Sequence, residues 1–298
     1  MAKAFVLYNP IAGSGQSEDT LKKLQEILTD EYVFCDMTKT EAYEDSIASM
    51  SSDDYVIVCG GDGTLNRFAN KIQVSDIEND ILYFPCGSGN DFARELGKEK
   101  YCAPFSVKKY LSSLPTVTVN GESSKFLNGI GYGIDGYCCE IGDKQRAESD
   151  KPVNYTAIAI KGLLFHYKPA NAKITVDGKV HEFKKVWIAP TMKGKYYGGG
   201  MMPTPAQNRN AEDGKLSVMA FHGSSALKTL MIFPSLFKGE HVKHTKYVTV
   251  LEGYDISVEF DSPRSLQIDG ETVLGVSSYR AVSESRALSE DKAEAAVN

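Results

Sequence analysis

In the first hundred residues, the short apolar runs AFVLY, DYVIVC and ILYFPC each end in a glycine-rich turn and pass into a helical pattern. That alternation limits what this part of the chain can become. A strand that is apolar along its whole length is buried on both faces, so helices must cover both sides of a parallel sheet. SEDTLKKLQEILTD sets Leu21, Leu24 and Leu28 on one face of a first helix, with Ser17 at its N-cap, and YVFCDM supplies a further strand. In sheets of this kind ligands bind beyond the carboxyl ends of the strands. The turns NPIAGSG, GGDGT and PCGSGND all fall there.

After about Pro115 the texture changes. TVTVNGESSKFLNGI and AKITVDGKVHEFKKVWIAP alternate apolar with polar residues and break at Asn120-Gly121 and Asp177-Gly178, a strong hairpin signal. KLSVMAF, KYVTVLEG, DISVEF and SLQIDGE continue the pattern, interrupted by helical stretches at NYTAIAIKGLLFHY and SALKTLMIFPSLF. The expected organisation is an α/β domain over residues 1–115, a β-sandwich with a few helices over 116–280, and a tail, 281–298, that returns to the first domain.

Composition excludes several functions. With 33 basic and 39 acidic residues the net charge is −6, which gives no electrostatic reason to expect nucleic acid. The six cysteines show no C-x-x-C spacing and read as free thiols of a reducing compartment. No secretory leader is legible, and no run of about eighteen apolar residues occurs. The expected location is the cytoplasm.

Each glycine turn offers backbone N–H groups at a helix N-terminus, an arrangement that favours anions. No Walker A lysine is present. Asp62 and Asp91 follow glycines at strand ends, where a carboxylate beside a phosphate is repulsive unless a cation such as Mg²⁺ stands between them. Asp91 also stands where DFAREL needs a helix cap. GYGIDG, from Gly131 to Gly136, fits G-x-G-x-x-G but lacks a βαβ setting. His241 and His244 have no third ligand nearby, and no G-x-S-x-G elbow occurs.

In this order, YNPIAGSG, GGDGTLN, GSGNDFAR, FLNGIGYGID, EDGKLSV and QIDGE resemble the diacylglycerol kinase catalytic family, which includes sphingosine and ceramide kinases. The resemblance implies a phosphofructokinase- or NAD-kinase-like N-terminal α/β domain and a C-terminal β-sandwich, with the active site in the cleft between them. It implies ATP held by Asn9, Pro10, Ile11, Ala12 and Gly13, and by Gly61, Asp62, Gly63, Thr64, Leu65, Asn66 and Arg67. Thr38 and Ser88 complete that set. Mg²⁺ would be held by Asp62, Asp91 and Asp135. A structural metal would sit at Asp213 with the carbonyls of Asn210 and Lys215. Asp269 matches the general base, supported by Glu271; in the sphingosine kinase branch Asp62 holds that role.

The implied activity is transfer of the γ-phosphoryl of ATP to a lipid hydroxyl, with diacylglycerol as acceptor. The alternatives are an NAD kinase and a nucleotide-binding protein of this fold without transfer activity. The segment Ala157 to Pro169 resembles a lipid-contacting helix, which directs Lys161, His166 and Lys168 to a transient, peripheral membrane contact. A homodimer is the other partner expected. Two departures from the family stand out. Arg67 replaces a glutamate on what reads as the first turn of a helix, where the helix dipole opposes a cation. After QIDGE the usual apolar strand ending in proline is not legible.

Overall fold

The computed structural model describes residues 2–10, 17–149, 151 and 153–285. The chain divides into two compact units, Met1–Leu114 and Pro115–Asn298.

The first unit has strands β1 (Lys3–Tyr8), β2 (Glu31–Asp36), β3 (Tyr55–Gly60), β4 (Asp80–Pro85) and β5 (Phe105–Ser106), in the order β2-β1-β3-β4-β5. The first four are parallel, and β5 runs antiparallel to β4. Helices α1 (Ser17–Gln25), α2 (Thr40–Ala48), α3 (Asp62–Lys71), α4 (Asp91–Glu95) and α5 (Lys108–Leu111) connect them. Val56, Ile57 and Val58 are fully buried, as the unbroken apolar run requires. Helix α1 ends at Gln25, earlier than its leucine spacing suggests, yet Leu21, Leu24 and Leu28 all pack on the same core. The strand order reverses direction between β1 and β3. That is the topological switch point, and the turns after both strands flank it.

The second unit contains β6 (Thr116–Val119), β7 (Glu122–Lys125), β8 (Gly129–Tyr132), β9 (Ala170–Val176), β10 (Lys179–Ile188), β11 (Thr191–Met192), β12 (Leu216–His222), β13 (Val248–Gly253), β14 (Asp255–Ile268) and β15 (Glu271–Val282). It also holds α6 (Ile134–Glu148), α7 (Tyr155–Lys161) and α8 (Ala226–Ile232). The sheet curls back on itself through β14. Its first half pairs with β9 at Ile256–Phe260, and its last residues pair with β8 at Leu266–Ile268. The register of β14 against β15 shifts between Glu259 and Arg264, around Pro263, which has no N–H to give a ladder. That break lets one long strand serve both sides of the core, where Tyr132 stacks on Phe260 with centroids 4.2 Å apart.

Three hairpins turn on a residue pair with positive φ at both positions: Asn120-Gly121, Asp177-Gly178 and Asp269-Gly270. Three sequence expectations need correction here. Helix α6 is absent from the sequence reading because its fifteen residues carry two glycines and no clean apolar stripe. The helix expected at Ala157–Pro169 is α7 followed by a π-helical turn, Gly162–His166. A strand does follow QIDGE: β15 buries Val276, Tyr279 and Ala281 and ends at Val282 without a proline. Among the described residues no helix is long and apolar enough to cross a membrane. The expected return of the 281–298 tail falls mostly outside the described residues.

Candidate active site

Because β1 to β4 are parallel, the turns that follow them share the carboxyl edge of the sheet. Asn9 and Pro10 lie there, half-buried, whereas Ile11, Ala12 and Gly13 fall outside the described residues. Thr38 is exposed just past β2, and its N–H and Oγ1 both donate to Asp36 Oδ1, at 2.9 and 2.7 Å. Ser88 is exposed in the turn after β4.

The turns after β3 and β4 are fastened to each other. The carbonyl of Gly60 accepts from Cys86 N (2.9 Å), Gly87 N (3.2 Å) and the Tyr83 hydroxyl (3.1 Å). A Cβ on Gly87 would collide with the Gly61 backbone, so glycine is needed there for loop packing. Across the join, the Asp62 carboxylate accepts from Asp91 N at 2.6 Å and Phe92 N at 3.3 Å, capping α4 from another loop. Asp91 itself is buried. Just behind the two turns, the Sγ atoms of Cys59 and Cys86 lie 3.6 Å apart; their hydrogen bond, with burial, pushes the Cys59 thiol up.

Gly61 is the N-cap of α3, and a Cβ added at Gly63 in its first turn would meet nothing within 4 Å. Thr64 N and Leu65 N both donate to Gly61 O, and the Leu65 side chain is fully buried in the core. Asn66 accepts from Asn70 Nδ2 through its carbonyl and Oδ1, each at 3.0 Å. Because α3 begins at Asp62, exposed Arg67 sits on its second turn. The expected conflict with the helix dipole, which acts on the first turn, therefore does not arise.

In the second unit the residues converge on Asp269. Its φ of +47° begins the β14–β15 turn, and its carboxylate accepts three consecutive N–H groups: Leu127 (2.5 Å), Asn128 (2.8 Å) and Gly129 (3.1 Å). Buried Arg209 grips the same peptide segment, donating Nη2 to Asn128 Oδ1 (2.7 Å) and Nη1 to Leu127 O (3.3 Å). Asn128 O in turn accepts from Lys193 N and Gly194 N, both at 2.9 Å. Gln207 ties the carbonyls of Lys193 (3.2 Å) and Lys215 (3.0 Å) and accepts the Ser217 hydroxyl. Burial pushes the Asp269 carboxyl up, against the three N–H groups and the Arg209 charge that favour its ionised form. Glu271 is exposed at the start of β15.

Asp135 is buried at the N-terminus of α6. Its Oδ2 accepts from the Tyr197 hydroxyl at 3.0 Å, while Oδ1 is buried without a hydrogen-bond donor. Burial raises its pKa to about 6 despite Tyr197 and Gln267. A Cβ on Gly131 would collide with this carboxylate, which gives the first glycine of GYGIDG a packing role.

The residues fit the two expected metals differently. A nucleotide-bound Mg²⁺ needs only one or two carboxylates besides phosphates and waters, and the buried, donor-less Oδ1 of Asp135 suits such a cation or its water. Asp213 is less well suited. Its carboxylate is exposed and engaged by Lys215, through N at 3.3 Å and Nζ at 3.2 Å, and these contacts hold its pKa down. The Lys215 carbonyl already accepts from Gln207, and Asn210 N donates to Asn208 Oδ1 at 3.0 Å. Among the described residues, no three or more His, Cys, Asp or Glu side chains converge as a metal cluster.

Residues 3–116 match the diacylglycerol kinase catalytic domain, and residues 128–288 match the YegS C-terminal NAD kinase beta sandwich-like domain. The chain belongs to the diacylglycerol kinase catalytic-domain family. Within this lipid kinase family, it is 28% identical over 197 residues to a diacylglycerol kinase of Mycobacterium tuberculosis (strain H37Rv), covering 64% of this chain. The match spans 62% of the length of that relative. It is 24% identical over 244 residues to a candidate lipid kinase of Staphylococcus aureus (strain Newman), covering 81% of this chain and 76% of that one. A solved structure of a candidate diacylglycerol kinase of Bacillus anthracis (strain Sterne) shares the fold at a TM-score of 0.64. It is 20% identical, with 95% of this chain and 93% of that chain covered.

The sequence reading missed Arg209, Asn128, Gln207 and Tyr197. Asn128 lies inside the family segment FLNGIGYGID, but nothing local marks it as the partner of an arginine some eighty residues away.

Proposed function

We propose that this family member transfers the γ-phosphoryl of ATP to a lipid hydroxyl, with diacylglycerol as acceptor and phosphatidic acid as product. The observation that supports this most is the half-buried Asp269 carboxylate, held by three N–H groups in a chain of a lipid-kinase family. A primary alcohol is a weak nucleophile. As its oxygen meets the γ-phosphorus, a carboxylate must take the hydroxyl proton while the bond to the ADP oxygen breaks. Burial makes Asp269 a stronger base than a solvated carboxylate, while the N–H groups and Arg209 keep it ionised and fixed.

In this reading the turns after β1, β3 and β4 bind the nucleotide phosphates through backbone N–H groups. Asp62 and Asp91 of the first unit, and Asp135 of the second, are the carboxylates that would hold Mg²⁺, which would supply positive charge to offset that of the phosphates. Asp62 also fixes the start of α4. The test is Mg²⁺-dependent transfer of labelled γ-phosphate to micellar diacylglycerol, sphingosine or NAD, with Asp269→Asn alongside. Labelled phosphatidic acid from the wild type and none from the variant is the expected result. Label appearing only in NAD, or full activity in the variant, contradicts the proposal.

A further inference from the structure

Among the described residues twelve large hydrophobic side chains are exposed, and seven of them lie on two short segments of the second unit. The first segment is α7 with its π-helical turn, and the second is α8 with the 3₁₀ turn Phe233–Lys238. The segments pack against each other. Each already buries one face: Ile158 and Leu163 on the first, and Ile232 and Leu236 on the second, join one core. Each also turns a second apolar face outward. Phe165 is 76% exposed, Met231 67% and Leu227 63%, with Ile160, Leu164 and Phe237 also exposed. Leu227 and Met231 are four apart on α8 and share a helical face. Scattered exposed apolar residues need no explanation, whereas a patch drawn from α8 and the π-helical turn packed against it does.

The charge on these segments selects what covers the patch. Residues 154–169 and 223–239 contain no aspartate or glutamate, in a protein of net charge −6. Lys161, His166, Lys168 and Lys238 are exposed around the patch, and Lys228 is half-buried on α8. A groove of about 350 Å³ is lined by Tyr137, Ile141, Gln145, Ile158, Lys161 and His166. An apolar surface whose two segments carry cations and no carboxylate, with exposed Glu240 only at its margin, suits the headgroup and upper acyl region of an anionic bilayer. It suits a two-fold contact between copies less well, because that contact would set the cations of the two segments against one another.

We infer that α7, α8 and the turns that follow them form a membrane-inserting face. Phe165, Leu227 and Met231 enter the acyl boundary of an anionic bilayer, and the lysines bind its headgroups. The choice of a bilayer as occupant rests on the lipid-kinase reading, because the acceptor resides there. The new element is apolar insertion by α8 and the π-helical turn, beyond the headgroup contact expected of Lys161, His166 and Lys168.

The test is flotation of the full chain with vesicles of phosphatidylcholine, alone or mixed with phosphatidylglycerol, without ATP or diacylglycerol. Wild type is expected to float with the mixed vesicles. Phe165→Ser/Leu227→Ser/Met231→Ser is expected to lose roughly 100-fold in partitioning, since three apolar side chains no longer enter the bilayer. All three are solvent-exposed, so the variant should keep its circular dichroism and melting temperature. Phe165→Trp provides an independent readout: the new indole is expected to be quenched by acyl-brominated lipid, whereas the native Trp187 is buried.

Equal flotation of the triple variant, or no quenching in Phe165→Trp, overturns insertion in favour of a purely electrostatic contact. No flotation of the wild type overturns the surface altogether. A wild-type dimer that becomes monomeric in the triple variant assigns the patch to a second copy instead. Flotation and turnover are scored separately. Binding without lipid phosphorylation would remove the kinase reading, and phosphorylation without binding would remove this face.

Discussion

The carboxylate of Asp62, on the turn after β3, accepts the backbone N–H of Asp91, on the turn after β4, at 2.6 Å. Two acidic residues singled out as cation ligands are therefore coupled before any cation binds. One of them holds the helix that begins with the other.

That coupling gives Asp62 two separable contributions. Asp62→Ala leaves Asp91 N and Phe92 N without their acceptor, which should cost about 1–2 kcal/mol of stability in urea unfolding. Asp62→Asn keeps one acceptor oxygen and should retain most of that stability while losing the carboxylate charge. If Mg²⁺-dependent ATP affinity falls equally in both, the charge serves the cation. Affinity that follows stability alone would reduce Asp62 to a helix cap.

Arg209 reaches Asp269 through the peptide segment that both hold, so it is a positioning residue for the proposed base. Arg209→Met should release Asn128 and remove a positive charge that favours the ionised carboxylate. Activity should drop by about 100-fold, mainly in kcat, and the acid limb of the pH–rate profile should move to higher pH. Arg209→Lys retains the charge and should restore the acid limb without restoring the full rate. A purely structural role predicts lost activity with an unmoved pH profile.

Asp135 should leave its mark on stability against pH. Burial raises its pKa from 3.8 to about 6, so between those values the folded protein holds a proton that the unfolded chain has lost. Stability from this group is therefore fully present below the lower value and is lost as pH rises through the upper one, to a total of about 3 kcal/mol. Chelator-treated protein should show a melting temperature that falls across this window, and Asp135→Asn should flatten the fall. Mg²⁺ added at neutral pH should stabilise the wild type more than the variant. A variant with the wild-type slope would assign the titration to another group.

Arg67 lies on the second turn of α3 and is exposed, so restoring the glutamate usual in the family should change stability by less than about 0.5 kcal/mol. Its influence should appear in nucleotide binding instead. Calorimetric titration of Arg67→Glu with ATP and with GTP measures that directly. Unchanged affinity for both nucleotides would make the substitution neutral.

The first unit was largely legible because its signals are local. Unbroken apolar strands, glycine turns and the leucine spacing of α1 each report on a few adjacent residues, and a parallel sheet follows from them. The three positive-φ hairpins are of the same kind, since Asn-Gly and Asp-Gly name their own turn geometry. Helix α6 was not legible: Gly136 and Gly142 weaken its local propensity, and the helix forms because Ile134 and Cys138 reach the core.

The candidate site divides along the same line. Sequence alone determined which residue types stand at the carboxyl edge of a parallel sheet, and that a carboxylate occupies the last hairpin turn. Tertiary structure decided what those groups hold. Asp62 caps a helix twenty-nine residues away, and Asp269 gathers the N–H groups of residues 127–129 while Arg209 grips that segment from another loop. It also decided that α8 packs against the π-helical turn after α7 and that both leave apolar side chains exposed. Propensity and turn chemistry act between neighbours in the chain. Hydrogen-bond pairing and burial act between neighbours in space, and the fold alone sets which residues those are.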